Sequence, residues 1–260
     1  MIPDRLGELL HERERLYGVI CRDATLIDIE LMAQSGYNVV WLDREHGAQS
    51  MAEMLRLART IEHLGMVPMM RISEGSRTHI QTALDGGIRL LALPDVRSPE
   101  EARRFVHLAK YPPLGGRGVS TTAAGAGYTL GDDTRQTLAD VNAATRLMIM
   151  IENDTGYDAL EAILAVAGID LLTIGPLDWA TSLGLYGVEA RTRLLPKIEH
   201  TLRVAADAGV ITAMFVSDEE VGKRYRDCGV RLFFIAEDIV LKRRSLEATI
   251  DAARSLFNEG

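Results

Sequence analysis

The sequence predicts an α/β fold: one (β/α)8 TIM-type barrel that takes up residues 1–260 as a single domain. Three observations lead there. Eight short apolar, β-branched-rich runs alternate with longer segments of helical spacing. Those runs are nearly continuous in their apolar character, as strands covered on both faces are. The length of 260 residues suits one barrel and leaves no room for a second domain. An open doubly wound sheet is the rival, but it wants a glycine-rich phosphate turn after its first strand. The nearest candidate, Gly86-Gly87, precedes a strand instead. No repeat, low-complexity tract or shift in composition marks a domain boundary.

The expected strands are Tyr17–Cys21, Asn38–Leu42, Val67–Ile72, Arg89–Leu93, Arg146–Ile151, Asp170–Ile174, Ile211–Val216 and Arg231–Ile235. Start signals mark several of the helices between them. Ser50-Met51-Ala52-Glu53 is a capping box, in which the serine oxygen accepts from an orphan N–H while Glu53 reaches back. Leu55, Ala58 and Ile61 then recur at helical spacing, and Gly65 stops the element. Ser98-Pro99-Glu100-Glu101 adds a proline at the first helical position. Ser217-Asp218-Glu219-Glu220 repeats the pattern. A last amphipathic helix, Ser245–Leu256, gathers Leu246, Ile250, Ala253 and Leu256 on one face. The stretch Lys110–Thr145 is too long for a simple connection and holds Pro112-Pro113, Gly115-Gly116 and Gly125–Gly127. Residues 110–145 are expected to form a functional excursion above the barrel mouth.

Charge narrows the function classes. Lys and Arg number 29 against 37 Asp and Glu, a net −8. A general nucleic-acid partner would want a basic face, so none is expected. No apolar run approaches the roughly 20 residues of a membrane helix. The segment Met1-Ile2-Pro3-Asp4-Arg5-Leu6 is not a basic lead into an apolar stretch, so neither membrane nor secretion is expected. Cys21 and Cys228 make no disulfide scaffold and no zinc cluster, and read as small core residues. The expectation is a cytoplasmic enzyme.

In a barrel of this kind the reactive groups sit at the C-terminal ends of the strands. The second strand runs into Asp43-Arg44-Glu45-His46-Gly47. The third ends in Arg71. The fifth delivers Glu152, then Asn153 and Asp154. The sixth runs into Gly175-Pro176-Leu177-Asp178. Glu152 and Asp178 are hard oxygen donors on adjacent strand ends and suit Mg²⁺ or Mn²⁺, or are simply solvated rim carboxylates. His46 comes directly after a strand, unlike His11, His63, His79, His107 and His200, which fall on expected helices. A neutral imidazole is a natural general base. Arg71 can stabilise an oxyanion, or pair with Asp43 or Glu45. Other templates fail: there is no His-Glu-x-x-His, no Gly-x-Ser-x-Gly and no P-loop. Lys110, Lys197, Lys223 and Lys242 read as helix residues or helix ends, which argues against imine chemistry.

Five segments together carry a resemblance. They are Trp41-Leu42-Asp43-Arg44-Glu45-His46-Gly47, Val67-Pro68-Met69-Met70-Arg71-Ile72, Tyr111-Pro112-Pro113-Leu114-Gly115-Gly116-Arg117-Gly118, Ile151-Glu152, and the run from Gly175 to Gly184. Collinear over roughly residues 5 to 257, they resemble the HpcH/HpaI aldolase family, the class II, metal-dependent pyruvate aldolases. The resemblance implies a barrel whose C-terminal helix is exchanged with a neighbour, in a homo-hexamer built as a trimer of dimers. It implies a divalent ion (Mg, Mn or Co) held by Glu152 and Asp178, chelating a pyruvate-type 2-oxo acid, with an aldehyde as the other partner. It makes His46 the base, held by Asp85, and makes Arg71 the stabiliser of the enolate. Backbone groups around Gly175, Pro176, Leu177 and Asp178 would grip the substrate, with Asp43 and Glu45 supporting the site from behind.

The chain also departs from the family. Met150 stands where the family usually has a glutamine that contacts the oxo acid, and a thioether donates no hydrogen bond. Asp95 follows Pro94 where an apolar residue is usual. Phe234-Ile235-Ala236-Glu237-Asp238 replaces a small-residue turn. Three other functions therefore stay open beside the aldolase: condensation or decarboxylation of an oxo acid, an acyl-CoA lyase reaction, and a non-catalytic binding role. The acyl-CoA reading lacks an obvious basic cluster for the cofactor.

Overall fold

Apolar runs too short for helices pair edge to edge here until no edge remains. The strands are β1 (Leu16–Cys21), β2 (Val39–Asp43), β3 (Val67–Arg71), β4 (Leu90–Leu93), β5 (Arg146–Ile151), β6 (Leu171–Ile174), β7 (Ile211–Phe215) and β8 (Leu232–Glu237). They pair in parallel and in sequence order, and β8 closes onto β1. This computed structural model describes residues 2–130, 133–216 and 218–257. Each expected run is a strand, with ends moved by a residue or two.

Alternate side chains face opposite ways. Val39, Trp41, Val67, Met69, Leu90, Met148, Met150, Leu171 and Phe234 fill the barrel interior. Val40, Leu42, Met70, Leu91, Leu147, Ile149 and Leu172 pack against the helices. From β2 to β6 both faces are buried, so the period-2 signal of a half-exposed strand is absent there.

Twelve α-helices lie among the described residues: α1 (Arg5–Glu12), α2 (Leu26–Gln34), α3 (Met51–His63), α4 (Arg77–Asp85), α5 (Pro99–Ala109), α6 (Thr134–Ala144), α7 (Asp154–Asp158), α8 (Leu160–Leu164), α9 (Pro176–Ser182), α10 (Gly187–Asp207), α11 (Glu219–Asp227) and α12 (Asp238–Leu256). The Ser50 capping box forms as expected. Ser98 caps α5, with Pro99 in its first turn. Asp218 caps α11 by accepting from the Val221 N–H at 2.9 Å; Ser217 lies outside the described residues, as does Met1. No helix among the described residues is long and apolar enough to cross a membrane.

The N-terminal end of the barrel is sealed. Helix α1 lays Leu6 and Leu9 on the interior cluster. Asp4 caps α1 through the Gly7 N–H at 3.1 Å and pairs with Arg146 at the start of β5. The excursion of residues 110–145 belongs to this end too, which corrects its expected place above the mouth. It joins the C-terminal end of α5 to the start of β5, and connections of that sense lie on the N-terminal face of a barrel. Arg89, at the entry to β4, donates to the Gly125 carbonyl at 2.8 Å. Lys110 is buried and donates to the Asn142 carbonyl at 2.9 Å and to that of Thr145. Tyr111, Ala126 and Val141 form a small core of their own, with Ile2 against it.

Helix α12 stands apart from the others. Its first residue, Asp238, is buried, but Leu246, Ile250 and Leu256 of the expected apolar face are 72%, 50% and 76% exposed. The outer wall at β1 and β8 is open as well. Tyr17 and Ile235 line two grooves there, of about 430 and 390 Å³.

Gly125 is packed so closely that a Cβ would overlap the Leu84 carbonyl at the end of α4. Gly125→Ala is therefore expected to destabilise the protein by about 1–3 kcal/mol, the usual cost of overpacking. Urea unfolding followed by circular dichroism would measure it, and the unfolding slope should stay unchanged.

Candidate active site

At the C-terminal end of the barrel the inward-facing residues change from apolar to charged. Asp43 ends β2, Arg71 ends β3, and the two are register partners. Asp43 is fully buried. Arg71 grips it with two bonds, Nε to Oδ1 at 3.0 Å and Nη2 to Oδ2 at 2.7 Å. Its third nitrogen, Nη1, lies 2.9 Å from Glu45 Oε2. The guanidinium sits 5.3 Å from the centre of the Trp41 ring. Asp43 Oδ1 also accepts from the N–H groups of Glu45 and His46, at 3.2 and 3.3 Å. The turn after β2 thus winds round this carboxylate. Gly47 completes the turn where a Cβ would strike the Asp43 carbonyl.

Burial opposes the Asp43 charge. The Arg71 guanidinium and the two amides outweigh it and hold the carboxyl below the usual range. Burial raises the carboxyl of Glu45 despite Arg71 and His46 nearby. Both pairings weighed for Arg71, with Asp43 and with Glu45, are made.

Arg22, which the sequence does not single out, joins this group from the end of β1. Its Nε lies 3.5 Å from Asp43 Oδ2, and its Nη1 lies 3.3 Å from Glu237 Oε2 at the end of β8. Both residues carry the same signal as Asp43 and Glu152: a charged side chain at or just past the C-terminal end of an apolar run.

Glu152 succeeds β5 directly and is 6% exposed. Its Oε1 accepts from the Asp95 N–H at 2.7 Å. Its Oε2 is buried with no hydrogen-bond partner. Gly175 lies so close that a Cβ there would collide with Oε2. Asp178 extends from the first turn of α9, three residues beyond Gly175, and is exposed. Burial pushes the Glu152 carboxyl from its ordinary 4.5 up to about 7; the Asp95 N–H opposes this, and the charges of Asp178 and Glu45 reinforce it. Trp179 ties the two strand ends together, since its Nε1 donates to Asp154 Oδ1 at 2.8 Å.

An orphaned buried oxygen, a second carboxylate beside it, and a wall without side chain at Gly175 fit a hard divalent cation. The local charge fits as well: two guanidinium groups, Arg22 and Arg71, stand among the carboxyls of Asp43, Glu45, Glu152, Asp178 and Glu237. Among the described residues no three His, Cys, Asp or Glu side chains converge as a complete cage. The pair would leave the remaining coordination positions to water and substrate.

The other expected residues divide between the mouth and the sealed end. Met150 is 3% exposed in the interior, below Glu152 on β5, and forms part of the floor. Pro176 and Leu177 open α9 at the rim, with Leu177 76% exposed. The His46 side chain is half exposed, with Nε2 4.0 Å from Glu45 Oε2. Asp85 is not brought to it within this chain. It ends α4, whose next step is into β4, so it sits at the sealed end of the barrel and accepts from Arg117 Nη2 at 2.6 Å. The five remaining histidines lie on helices, as expected. So do the lysines or their helix ends, and Lys197 and Lys223 are held by Asp154 and Glu219.

A carboxyl that binds its proton more tightly when folded contributes stability below its unfolded value of 4.5 and loses it as the pH rises through about 7. Metal-free protein should therefore weaken over that window, by up to about 3 kcal/mol. In Glu152→Gln that loss should vanish, so the metal-free variant should melt above the wild type at pH 8 and level with it near pH 5. Calorimetry in the presence of a chelator checks both points.

Known proteins resemble this chain in sequence and fold. A family model described as HpcH/HpaI aldolase/citrate lyase matches residues 21–241. A hydroxypyruvate/pyruvate aldolase of Paraburkholderia phytofirmans is 30% identical over 256 residues, covering 96% of this chain and 97% of that one. A 2-keto-3-deoxy-L-rhamnonate aldolase of Salmonella gallinarum is 28% identical, over 98% of this chain and 95% of its own. The crystal structure of an HpcH/HpaI aldolase/citrate lyase family protein from Burkholderia cenocepacia superposes with a TM-score of 0.87 at 28% identity, covering 97% of this chain and 100% of that one. With the closed barrel and its charged strand ends, these matches show that the chain belongs to the HpcH/HpaI aldolase/citrate lyase family and is a lyase of the aldolase kind.

Proposed function

We propose that this aldolase is divalent-metal-dependent and cleaves or forms a 4-hydroxy-2-oxo acid through a pyruvate-type enolate, with an aldehyde as the second partner. The observation that carries the reading is the unpartnered Oε2 of the buried Glu152, next to the strand end that bears Asp178. Glu152 and Asp178 would hold the ion, of the magnesium, manganese or cobalt class. Bound there, such an ion supplies Lewis acidity to the oxo group of the substrate. The activities for which the two relatives are named, both aldolases of 2-oxo acids, support the same substrate class.

The chain's own residues do the rest. Arg71 stays charged at any working pH and supports negative charge that develops on the oxo oxygen. Asp43 and Glu45 occupy the guanidinium from behind and fix its direction. His46, in the open mouth, takes the hydroxyl proton during cleavage and returns it during condensation. Backbone groups of the Gly175–Asp178 turn grip the substrate carboxylate. Met150 gives the floor a thioether and no donor, so the oxo acid meets it by packing alone.

A homo-oligomer, a hexamer built as a trimer of dimers with exchanged C-terminal helices, belongs to this reading. The support is the apolar face of α12 left in solvent and the grooves left open beside β1 and β8. Asp85 can serve His46 only from a neighbouring copy, because one chain keeps them at opposite ends of its barrel.

Chelator treatment should abolish aldol cleavage, read as coupled pyruvate release from a panel of hydroxy-oxo acids, and Mg²⁺, Mn²⁺ or Co²⁺ should restore it. His46→Ala should lower kcat by about 10²- to 10⁴-fold; full activity after either treatment would overturn the mechanism. Leu246→Asp combined with Ile250→Asp should reduce the particle mass in light scattering, whereas an unchanged mass would exclude α12 from the assembly.

A further inference from the structure

Asp95 holds a backbone conformation that few side chains adopt. Its φ is +50°, in the left-handed region, and apart from Tyr128 it is the only non-glycine residue there among the described residues. That conformation points its N–H at Glu152 Oε1, 2.7 Å away. The side chain of Asp95 is strapped in turn. Oδ1 accepts from Asn153 Nδ2 at 2.6 Å, and Oδ2 accepts from Arg97 Nε and Nη2 at 3.0 and 2.7 Å. Asn153 is anchored at its other end, where its Oδ1 accepts from the Gly156 N–H at 2.7 Å and caps α7. The next residue, Val96, donates its N–H to the Met150 carbonyl at 3.1 Å.

Asn153 is the neighbour of Glu152 in the chain, so these bonds close a ring: Glu152 carboxylate, Asp95 amide, Asp95 carboxylate, Asn153 amide, and back along the backbone to Glu152. The ring assigns the two oxygens of Glu152 different tasks. Oε1 is occupied by the Asp95 N–H, and Oε2 is left buried beside Gly175 without a partner. The strap also offsets the cost of the left-handed backbone, which would otherwise favour relaxation and withdraw the N–H.

We infer that Asp95 is a positioning residue: its side chain, clamped by Asn153 and Arg97, locks its own backbone so that Glu152 presents a single oxygen, Oε2, to the divalent cation. The inference rests on the cation-binding reading of Glu152 and Asp178 given above. In this reading Asp95 is not itself a ligand of the cation. It acts through Glu152, so its effect belongs in cation affinity and should survive in the absence of turnover.

The test is Mn²⁺ binding to the purified full chain, monitored by electron paramagnetic resonance of the free ion, with thermal melting as a check on folding. Asp95→Ala removes the strap and leaves a residue that resists φ +50°; its Mn²⁺ dissociation constant should rise about tenfold or more, the usual scale for a support behind a ligand. Asp95→Asn keeps an acceptor for Asn153 and tolerates the left-handed region, so it should stay within about threefold of wild type. Asn153→Ser keeps a helix-capping hydroxyl but cannot reach Asp95, and should match Asp95→Ala even if the latter folds poorly. Asp95→Ala and Asn153→Ser both binding like wild type would overturn the clamp while leaving the metal reading intact. Wild-type protein that binds no Mn²⁺ at pH 8 would overturn both.

Discussion

The bidentate pair between Arg71 and Asp43 is the constraint from which the reactive end of the barrel is built. An aspartate with no solvent contact is tolerable only if every lone pair is used. Here one guanidinium and two backbone amides use them, and Arg22 adds a nearby positive charge at 3.5 Å. Each partner brings an element with it. Arg71 brings β3, the amides bring the turn that carries Glu45 and His46, and Arg22 brings the end of β1 and, through Glu237, the end of β8. Removing Asp43 would leave Arg71 buried beside Trp41 with two of its donors idle. The order of the strand ends is therefore electrostatic as much as hydrophobic.

The rest of the site is held to that nucleus by bonds between neighbours of the reactive groups. Asp154 comes two residues after Glu152 and Trp179 directly after Asp178, and their hydrogen bond couples the two strand ends without using either carboxylate. Glycines let the parts approach: Gly47 beneath Asp43, and Gly175 beside Glu152. Burial above all, reinforced by the charges of Asp178 and Glu45, makes Glu152 retain its proton to about pH 7.

Much of this is legible in the residues. Continuous apolar runs announce strands buried on both faces, and Asp43, His46, Arg71, Glu152 and Asp178 stand out because they end such runs or come soon after them. The features that escape share a cause: sequence spacing does not tell which end of the barrel a segment faces unless the preceding element is considered. Lys110–Thr145 is long enough to suggest a mouth loop, yet it comes after a helix and so lies beneath. Asp85 suffers the same displacement, since a dyad carried over by resemblance does not say whether both members come from one chain. Arg22 is inconspicuous because it stands with Asp23 after β1 in no recognisable motif. The pattern of Leu246, Ile250 and Leu256 announces an apolar face but does not name its cover. The role of Asp95 depends on a φ angle, which no residue pattern encodes.

The sealed end of the barrel has a kinetic consequence. With Leu6 and Leu9 plugging the interior below and the layer of Met150 and Trp41 packed above them, everything must enter and leave by one opening. Two reactants that share a single doorway cannot pass each other. Under the proposed chemistry, the oxo acid against the floor would arrive first and depart last, and the aldehyde nearer the rim would come and go in between. Ordered traffic of this kind needs no conformational gate. It follows from an interior packed with side chains and closed beneath by a helix of eight residues.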